Sequence, residues 1–248
     1  MYSVSCSRGR GLFKKMLGKD AIVTDLQEMD RQVFEQELDS LKDKILLLGG
    51  ATERAVQRAM QSLTTRDSGL ARNVLEDDEV IDQMELDIDR FTIDILALRQ
   101  PTEHDLRFVI SVAKITPILE RIADHAGNIA DAALVLNEEP IVKEFIDFPL
   151  MAQAAVEMLR EALDAFTNED AELSREIIKR DKSIDEAYHR VFGKLLQMMI
   201  ANPNSTTGAA HLLFVAKHLE RIGDYVKDIC ELNVYLREAA FIKHSLNY

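Results

Sequence analysis

The chain has 248 residues and a formal net charge of −13, which disfavours nucleic-acid binding because negative charge repels a phosphate backbone. Cations and basic protein surfaces are the partners that such a charge suits. Only two cysteines are present, Cys6 and Cys230, so a disulfide framework and a zinc knuckle are excluded. No apolar run approaches the roughly 18 residues that span a bilayer, and together these features predict a soluble, cytoplasmic protein.

The N-terminal segment is locally basic. Among residues 1–20 the cations outnumber the single acid, Asp20, and the long apolar centre of a secretory signal is absent. Terminal segments of this composition are usually poorly ordered, so we expect residues 1–26 to be a flexible extension. The alternative is a weak membrane or partner contact through its apolar side chains, Leu12, Phe13, Met16 and Leu17.

From residue 28 onward, apolar residues recur at helical spacing, and Leu, Ala, Glu, Arg and Met are frequent. Asp67 and Asn168 are residue types that cap helix starts, and Pro140 marks a break in the middle of the chain. The pattern predicts six helices, at residues 28–64, 68–99, 103–137, 148–166, 169–201 and 207–243.

The chain contains an internal repeat. LERIADHAGNIAD at 119–131 reappears as LERIGDYVKDICE at 219–231, and an Asp-x-x-x-Asp pair precedes each copy by about forty residues. Each half therefore contains three helices joined by short loops. We expect an all-α fold of two tandem three-helix bundles related by internal pseudo-symmetry, with domains at 27–146 and 147–248.

Acidic residues form stripes on these helices, opposite the apolar faces. Carboxylates four residues apart repel each other by roughly 0.2–0.5 kcal/mol per pair, so a stripe with few interleaved cations is unusual. Where two stripes from neighbouring helices meet, the oxygen ligands suit hard or borderline cations. The alternative is a merely solvated face, which Lys217 and Lys227 favour in the second half because they can pair with acids on their own helix.

These residues resemble the PhoU family of bacterial phosphate-transport regulators. The resemblance rests on the two LERI segments, the paired E(D)-x-x-x-D motifs and LRQPTEHDLRFVIS at 98–111. It implies surface metal clusters, with iron, zinc, manganese or magnesium as the ion. It also implies negative regulation of the phosphate-starvation response, through a transporter ATPase subunit and a sensor histidine kinase. The metal positions that it implies are Asp78, Asp82, Glu120, Asp124, Asn128, Asp181, Asp185, Glu220, Asp224 and Asp228.

The chain departs from the family pattern at several positions. Ala123 stands where the family usually has Gly, Asn128 replaces the acid found at Asp228, and Tyr225 occupies the place of His125. The two sites are therefore expected to differ in metal occupancy. Arg107, in the segment between the second and third helices, is a candidate partner-binding residue, and a homodimer is a further possibility.

Two other classes of function stay open. A di-iron enzyme needs Glu-x-x-His pairs that face into the bundle, and Glu186-x-x-His189 is the obvious pair, although it points away from the Asp185 stripe. A helical scaffold would use its acidic faces on basic partners without any metal. Because no nucleophile motif or Gly-rich phosphate loop is present, we expect a protein that is not an enzyme.

Overall fold

A computed structural model describes the backbone at residues 8–139 and 148–242 and the side chains at 28–139 and 148–242. The predicted all-α fold of six helices is confirmed over this part of the chain. The helices are α1 (Arg8–Thr65), α2 (Ser68–Arg99), α3 (Glu103–Glu138), α4 (Phe148–Thr167), α5 (Ala171–Ala201) and α6 (Thr206–Glu238), with a 3-10 turn at Pro203–Ser205 before α6. The predicted domain boundary near residue 146 lies outside the described residues.

The first helix begins at Arg8 rather than at residue 28. Residues 8–27 contain no proline, so no residue in this segment lacks the backbone N–H that helix hydrogen bonding needs. Contacts divide the chain into two units, residues 1–40 and residues 41–248, and both bundles belong to the second unit. The first unit contains the N-terminal part of α1.

Two other helix ends differ from the prediction for local reasons. Helix α5 is capped by Asp170, whose side chain accepts a hydrogen bond from the Leu173 N–H at 2.9 Å, and not by Asn168. Helix α6 ends at Glu238 because Ala239 adopts a left-handed conformation with φ 55°, which closes the last turn.

The starts of α2 and α5 show the internal repeat in backbone detail. Arg66 and Glu169 both have positive φ, at 56° and 53°. The aspartate that follows each of them, Asp67 or Asp170, caps its helix by accepting from a backbone N–H three residues later, at 2.9 Å in both cases. Equivalent strained residues and equivalent caps at equivalent positions support the predicted pseudo-symmetry.

Helix α3 packs on α2 in the first half, and α6 packs on α5 and α4 in the second. The two halves meet where α3 packs on α6 and where α1 approaches α4. A Cβ on Gly49 of α1 would lie 2.3 Å from Cδ1 of the buried Leu163 of α4, so this approach requires glycine. Leu119 and Leu219, from the two LERI segments, are both fully buried. No helix in the described residues is long and apolar enough to cross a membrane.

Arg107, the candidate partner-binding residue, makes an internal contact. Its Nε donates a hydrogen bond at 3.1 Å to the backbone carbonyl of Leu236, in the last turn of α6. Carbonyls at a helix C-terminus lack intrahelical donors and carry partial negative charge, so a guanidinium stabilises them. The side chain thus links the start of α3 to the end of α6. Its role in partner binding stays a prediction.

Replacing Arg107 with Ala should lower the free energy of unfolding by about 1–2 kcal/mol, because a charged hydrogen bond to a helix end is lost. Thermal unfolding followed by circular dichroism measures this effect. Arg90→Ala is the matched control, since Arg90 is 72% exposed and lies 3.7 Å from Asp87 in a surface ion pair that contributes little. Equal melting temperatures for the two variants would contradict the structural role of Arg107.

Candidate metal sites

Carboxylates from α2 and α3 meet on the side of the first bundle that faces away from its core. Helical spacing puts Ile81 of α2 and Ile122 of α3 into the core, at 3% and 0% exposure, and turns the acids outward. We call these acids the first cluster: Asp78, Asp82, Glu85, Glu120 and Asp124. Asp82 and Asp124 are exposed, whereas the other members are half-buried.

The members of the first cluster repel one another. Burial raises the pKa of Asp78, and the negative charges of Asp82 and Asp124 raise it further. The pKa of Glu120 is raised to about 7 by burial, by the charges of Asp124, Glu85 and Asp82, and by a side-chain hydrogen bond with Asp124. Because the acids of α2 raise the pKa of Glu120, and Asp124 raises that of Asp78, the structure brings together the two motifs that the sequence paired.

No ion pair described for residues 28–139 and 148–242 involves Asp78, Asp82, Glu120 or Asp124. Arg121 lowers the pKa of Glu85, but its effect is smaller than that of burial and the neighbouring acids. Within these ranges no three His, Cys, Asp or Glu side chains are already arranged around a single point as metal ligands. Binding an ion here therefore requires the carboxylates to rotate toward it.

Glu85 was not among the predicted metal positions, although it lies on the acidic stripe of α2. Burial and the charges of Asp89, Asp82 and Asp124 raise its pKa, and its charge in turn raises that of Glu120. The signal in the sequence was its spacing, since Glu85 follows Asp82 by three residues and stays on the same helix face. A metal-binding motif defined only at four-residue spacing omits it.

The second half brings its acids together with cations. We call this group the second cluster: Asp181 and Asp185 on α5, and Glu220 and Asp224 on α6. Lys227 Nζ lies 3.1 Å from Asp181 Oδ2 and 3.2 Å from Asp224 Oδ1, so it bridges the two helices. Arg221 also contacts Asp224, at 3.0 Å, and Lys217 contacts Glu220 at 2.5 Å.

Asp181 is buried, at 4% exposure, so the expected outward orientation is wrong for this residue. The side chain packs closely against Gly223 on α6, where a Cβ would lie 2.8 Å from Asp181 Oδ1. The equivalent residue of the first half is Ala123, and its partner Asp78 stays half-buried. Burial raises the pKa of Asp181, and Lys227 opposes that rise. Burial by itself would lower the pKa of Lys227, yet Asp181 and Asp224 raise it above its ordinary value.

The last two predicted metal positions lie one turn further along α3 and α6. The side-chain amide of Asn128 donates a hydrogen bond to the backbone carbonyl of Asp124 at 2.8 Å, so this amide is engaged within α3 itself. Asp228 lines a cleft of about 280 Å³ whose walls come from α3, α6 and residues 241–242. Lys114 and Arg121 of α3 line the same cleft, so this carboxylate has basic neighbours. The metal-binding roles of both residues stay predictions.

A pair of histidines lies where α3 packs on α6, a contact that the sequence did not predict. His125 Nδ1 and His218 Nδ1 are 2.9 Å apart, so one imidazole donates to the other and the accepting ring is neutral. Burial lowers the pKa of both, and the charges of His218 and Arg221 help to lower that of His125 to about 4. The Tyr225 ring stacks on His125 at 5.5 Å. The pair connects the two helices that carry the LERI segments.

The geometry does not favour the di-iron alternative at its obvious pair. Glu186 and His189 are both exposed on α5, whereas a di-iron site needs these ligands to face the interior of the bundle.

Comparisons with known proteins agree with the repeat and the fold. The family model described as the PhoU domain matches residues 45–133 and 148–232. The phosphate-specific transport system accessory protein PhoU homolog of Pseudomonas aeruginosa is 35% identical over 230 residues, which are 92% of this chain and 93% of that protein. The phosphate-specific transport system accessory protein PhoU of Escherichia coli is 31% identical over 211 residues, covering 85% and 88% of the two chains.

The fold has a close match among solved structures. The crystal structure of PhoU from Pseudomonas aeruginosa superposes with a TM-score of 0.81 at 36% identity, covering 84% of this chain and all of that one. The family model matches both halves of the chain, each at the segment that carries its acidic motifs. The chain described here therefore belongs to the PhoU family.

Proposed function

We propose that this chain is an accessory and regulatory protein of a phosphate-specific transport system. The observation that carries the proposal is the similarity over nearly the full length to relatives named as accessory proteins of such a system. The family match includes both bundles, so the similarity is not confined to one shared module. We further propose that the chain represses the phosphate-starvation response by coupling the transporter ATPase subunit to a sensor histidine kinase in the cytoplasm.

We also propose that the first cluster binds a metal ion through Asp78, Asp82, Glu120 and Asp124, with Glu85 as an additional ligand. The donor set fits, because carboxylate oxygens suit iron, manganese and magnesium and also bind zinc. The raised pKa values of Asp78 and Glu120 support the proposal, since they reflect burial and, after it, the negative charge of the neighbouring acids. A bound ion would supply positive charge there and hold α2 against α3.

The regulatory role predicts a phenotype for deletion of the gene. The deletion strain should express its phosphate-starvation genes in phosphate-rich medium, because the coupling between transporter and kinase is lost. Transcript levels with and without a plasmid copy of the gene measure this effect. The tagged protein should co-purify with the transporter ATPase subunit. Normal repression in the deletion strain would count against the proposed function.

Asp124→Asn should reduce the metal bound by the first cluster without changing helix content, because Asp124 is exposed and contributes little to the core. Elemental analysis of protein dialysed against one metal at a time measures the loss. Asp94→Asn is the matched control, since Asp94 is an exposed acid of α2 outside the cluster. If both variants bind as much metal as the wild type, the first cluster is only a solvated face.

The pKa of Glu120 predicts how pH affects the metal-free protein. This pKa is about 7 in the folded state, against an ordinary value of 4.5, so folding favours the protonated carboxyl. Its contribution to stability is fully present below pH 4.5 and is lost as the pH rises through 7. Glu120→Gln should therefore raise the melting temperature of the metal-free protein at pH 8 by roughly 2–4 °C. This shift corresponds to an increase of about 1 kcal/mol in the free energy of unfolding, after allowance for solvent screening.

The same substitution should have little effect at pH 5, where Glu120 is already protonated in the folded protein. Thermal scans in the presence of a chelator at the two pH values give the comparison. Since the two proteins differ only at residue 120, the difference between variant and wild type isolates Glu120. A stabilisation that is equal at pH 5 and pH 8 would show that repulsion at Glu120 is not its cause.

A further inference from the structure

We propose that the two halves of the chain have different cation chemistry, with metal bound at the first cluster only and Lys227 serving as a built-in cation at the second. The proposal rests on the proposed metal binding of the first cluster and adds that the second cluster does not share it. The two halves carry the same motif, so the difference comes from residues around the motif.

Lys227 occupies the position that a bridging ion would need. Its ammonium lies 3.1 Å from Asp181 on α5 and 3.2 Å from Asp224 on α6, which are the two helices that contribute to the second cluster. A metal ion would have to displace this ammonium and would then be repelled by it. Arg221 adds a second positive charge at 3.0 Å from Asp224.

Burial fixes the arrangement further. The side chain of Asp181 is only 6% exposed, and its second oxygen, Oδ1, is buried without a hydrogen-bond partner and faces Gly223. A Cβ at Gly223 would lie 2.8 Å from this oxygen, so the Asp181 carboxylate packs closely against the backbone of α6. To serve as a metal ligand at the surface, Asp181 would have to leave this position and break its contact with Lys227.

The first half lacks the corresponding lysines, although Arg121 corresponds to Arg221. An offset of one hundred residues aligns the two LERI segments and pairs Lys227 with Gly127 and Lys217 with Pro117. Neither Gly127 nor Pro117 can supply a charge, and Ala123 stands opposite Gly223 in the same alignment. The first cluster therefore has the acids of the motif without the lysines that neutralise them in the second half.

This difference has a functional consequence. A covalently attached ammonium is always present, so α5 and α6 are bridged whatever the metal supply. The bridge between α2 and α3 depends on an ion from solution, by mass action. Only the first half would then respond to metal availability, whereas the bridge in the second half would be the same at every metal concentration.

Metal stoichiometry in matched variants tests the proposal. Wild type, Asp124→Asn, Asp224→Asn and Lys227→Met are dialysed to equilibrium against Mn²⁺ and, separately, Zn²⁺, and bound metal is measured by elemental analysis. Asp224→Asn should bind as much metal as the wild type, whereas Asp124→Asn should lose it. Lys227→Met should bind more metal than the wild type, and adding Asp224→Asn to that variant should remove the gain.

A reciprocal variant moves the cation to the first half. A Cβ on Gly127 would lie 3.7 Å from its nearest neighbour, Leu75 Cδ2, which is an ordinary contact. Gly127→Ala, which adds only this Cβ to the buried position, should keep the helix content and the metal of the wild type, whereas a Gly127→Lys protein with wild-type circular dichroism should lose its bound metal. Retention of metal by a folded Gly127→Lys protein would argue that a lysine at this position does not exclude an ion.

The metal contents of these variants distinguish a failure of this inference from a failure of the proposed metal binding. If Asp224→Asn loses metal as Asp124→Asn does, the second cluster binds metal and the inference is overturned, while the proposed function stands. If the wild type binds neither ion, the metal proposal fails, and with it the assignment of metal to the first cluster. The role of Lys227 is then decided by melting temperatures in the presence of a chelator.

In that experiment Lys227→Met should lower the melting temperature by several degrees, and Asp181→Asn should restore part of the loss when added to it. Both effects follow if Lys227 neutralises a buried carboxylate. If the effects of the two substitutions on the melting temperature are additive, Lys227 does not neutralise Asp181. The inference is then overturned even if the wild type binds no metal.

Discussion

The negative charge gathered between neighbouring helices is the constraint on which the rest of this structure depends. Each half brings acids from two helices to one side of its bundle, and each pair at four-residue spacing costs roughly 0.2–0.5 kcal/mol. The second half offsets this repulsion internally through Lys227, Arg221 and Lys217. In the first half, burial and the neighbouring acids raise the pKa of Asp78 and of Glu120, and no ion pair described for residues 28–139 and 148–242 involves either residue.

The contact between α3 and α6 gives this difference a way to affect the rest of the molecule. Both LERI segments lie on these helices, and their leucines are fully buried. His125 and His218 meet between them, each within two residues of a motif acid. A change in the position of α3 relative to α2 would therefore reach α6 through a packed interface, and packed interfaces favour discrete arrangements over continuous deformation.

Much of the fold could be predicted because helix periodicity and capping are local properties of the sequence. The repeat predicted the two bundles, and Asp67 was identified as a cap from its residue type. The cap of α5 was misassigned because Asn168 and Asp170 are both suitable residue types, and the backbone conformation of Glu169 decides between them. The histidine pair could not be predicted, since its members are 93 residues apart and meet through tertiary packing alone.

The second cluster shows why a duplicated motif does not imply duplicated chemistry. Motif residues define which oxygens are available, but the residues between them decide the charge and the space around those oxygens. Asp181 packs in a buried position against Gly223, and burial makes the loss of its counter-ion costly. Lys227 supplies a counter-ion to this buried carboxylate. At the equivalent position the first half has Gly127, so no lysine of α3 can do the same for Asp78, which stays half-buried.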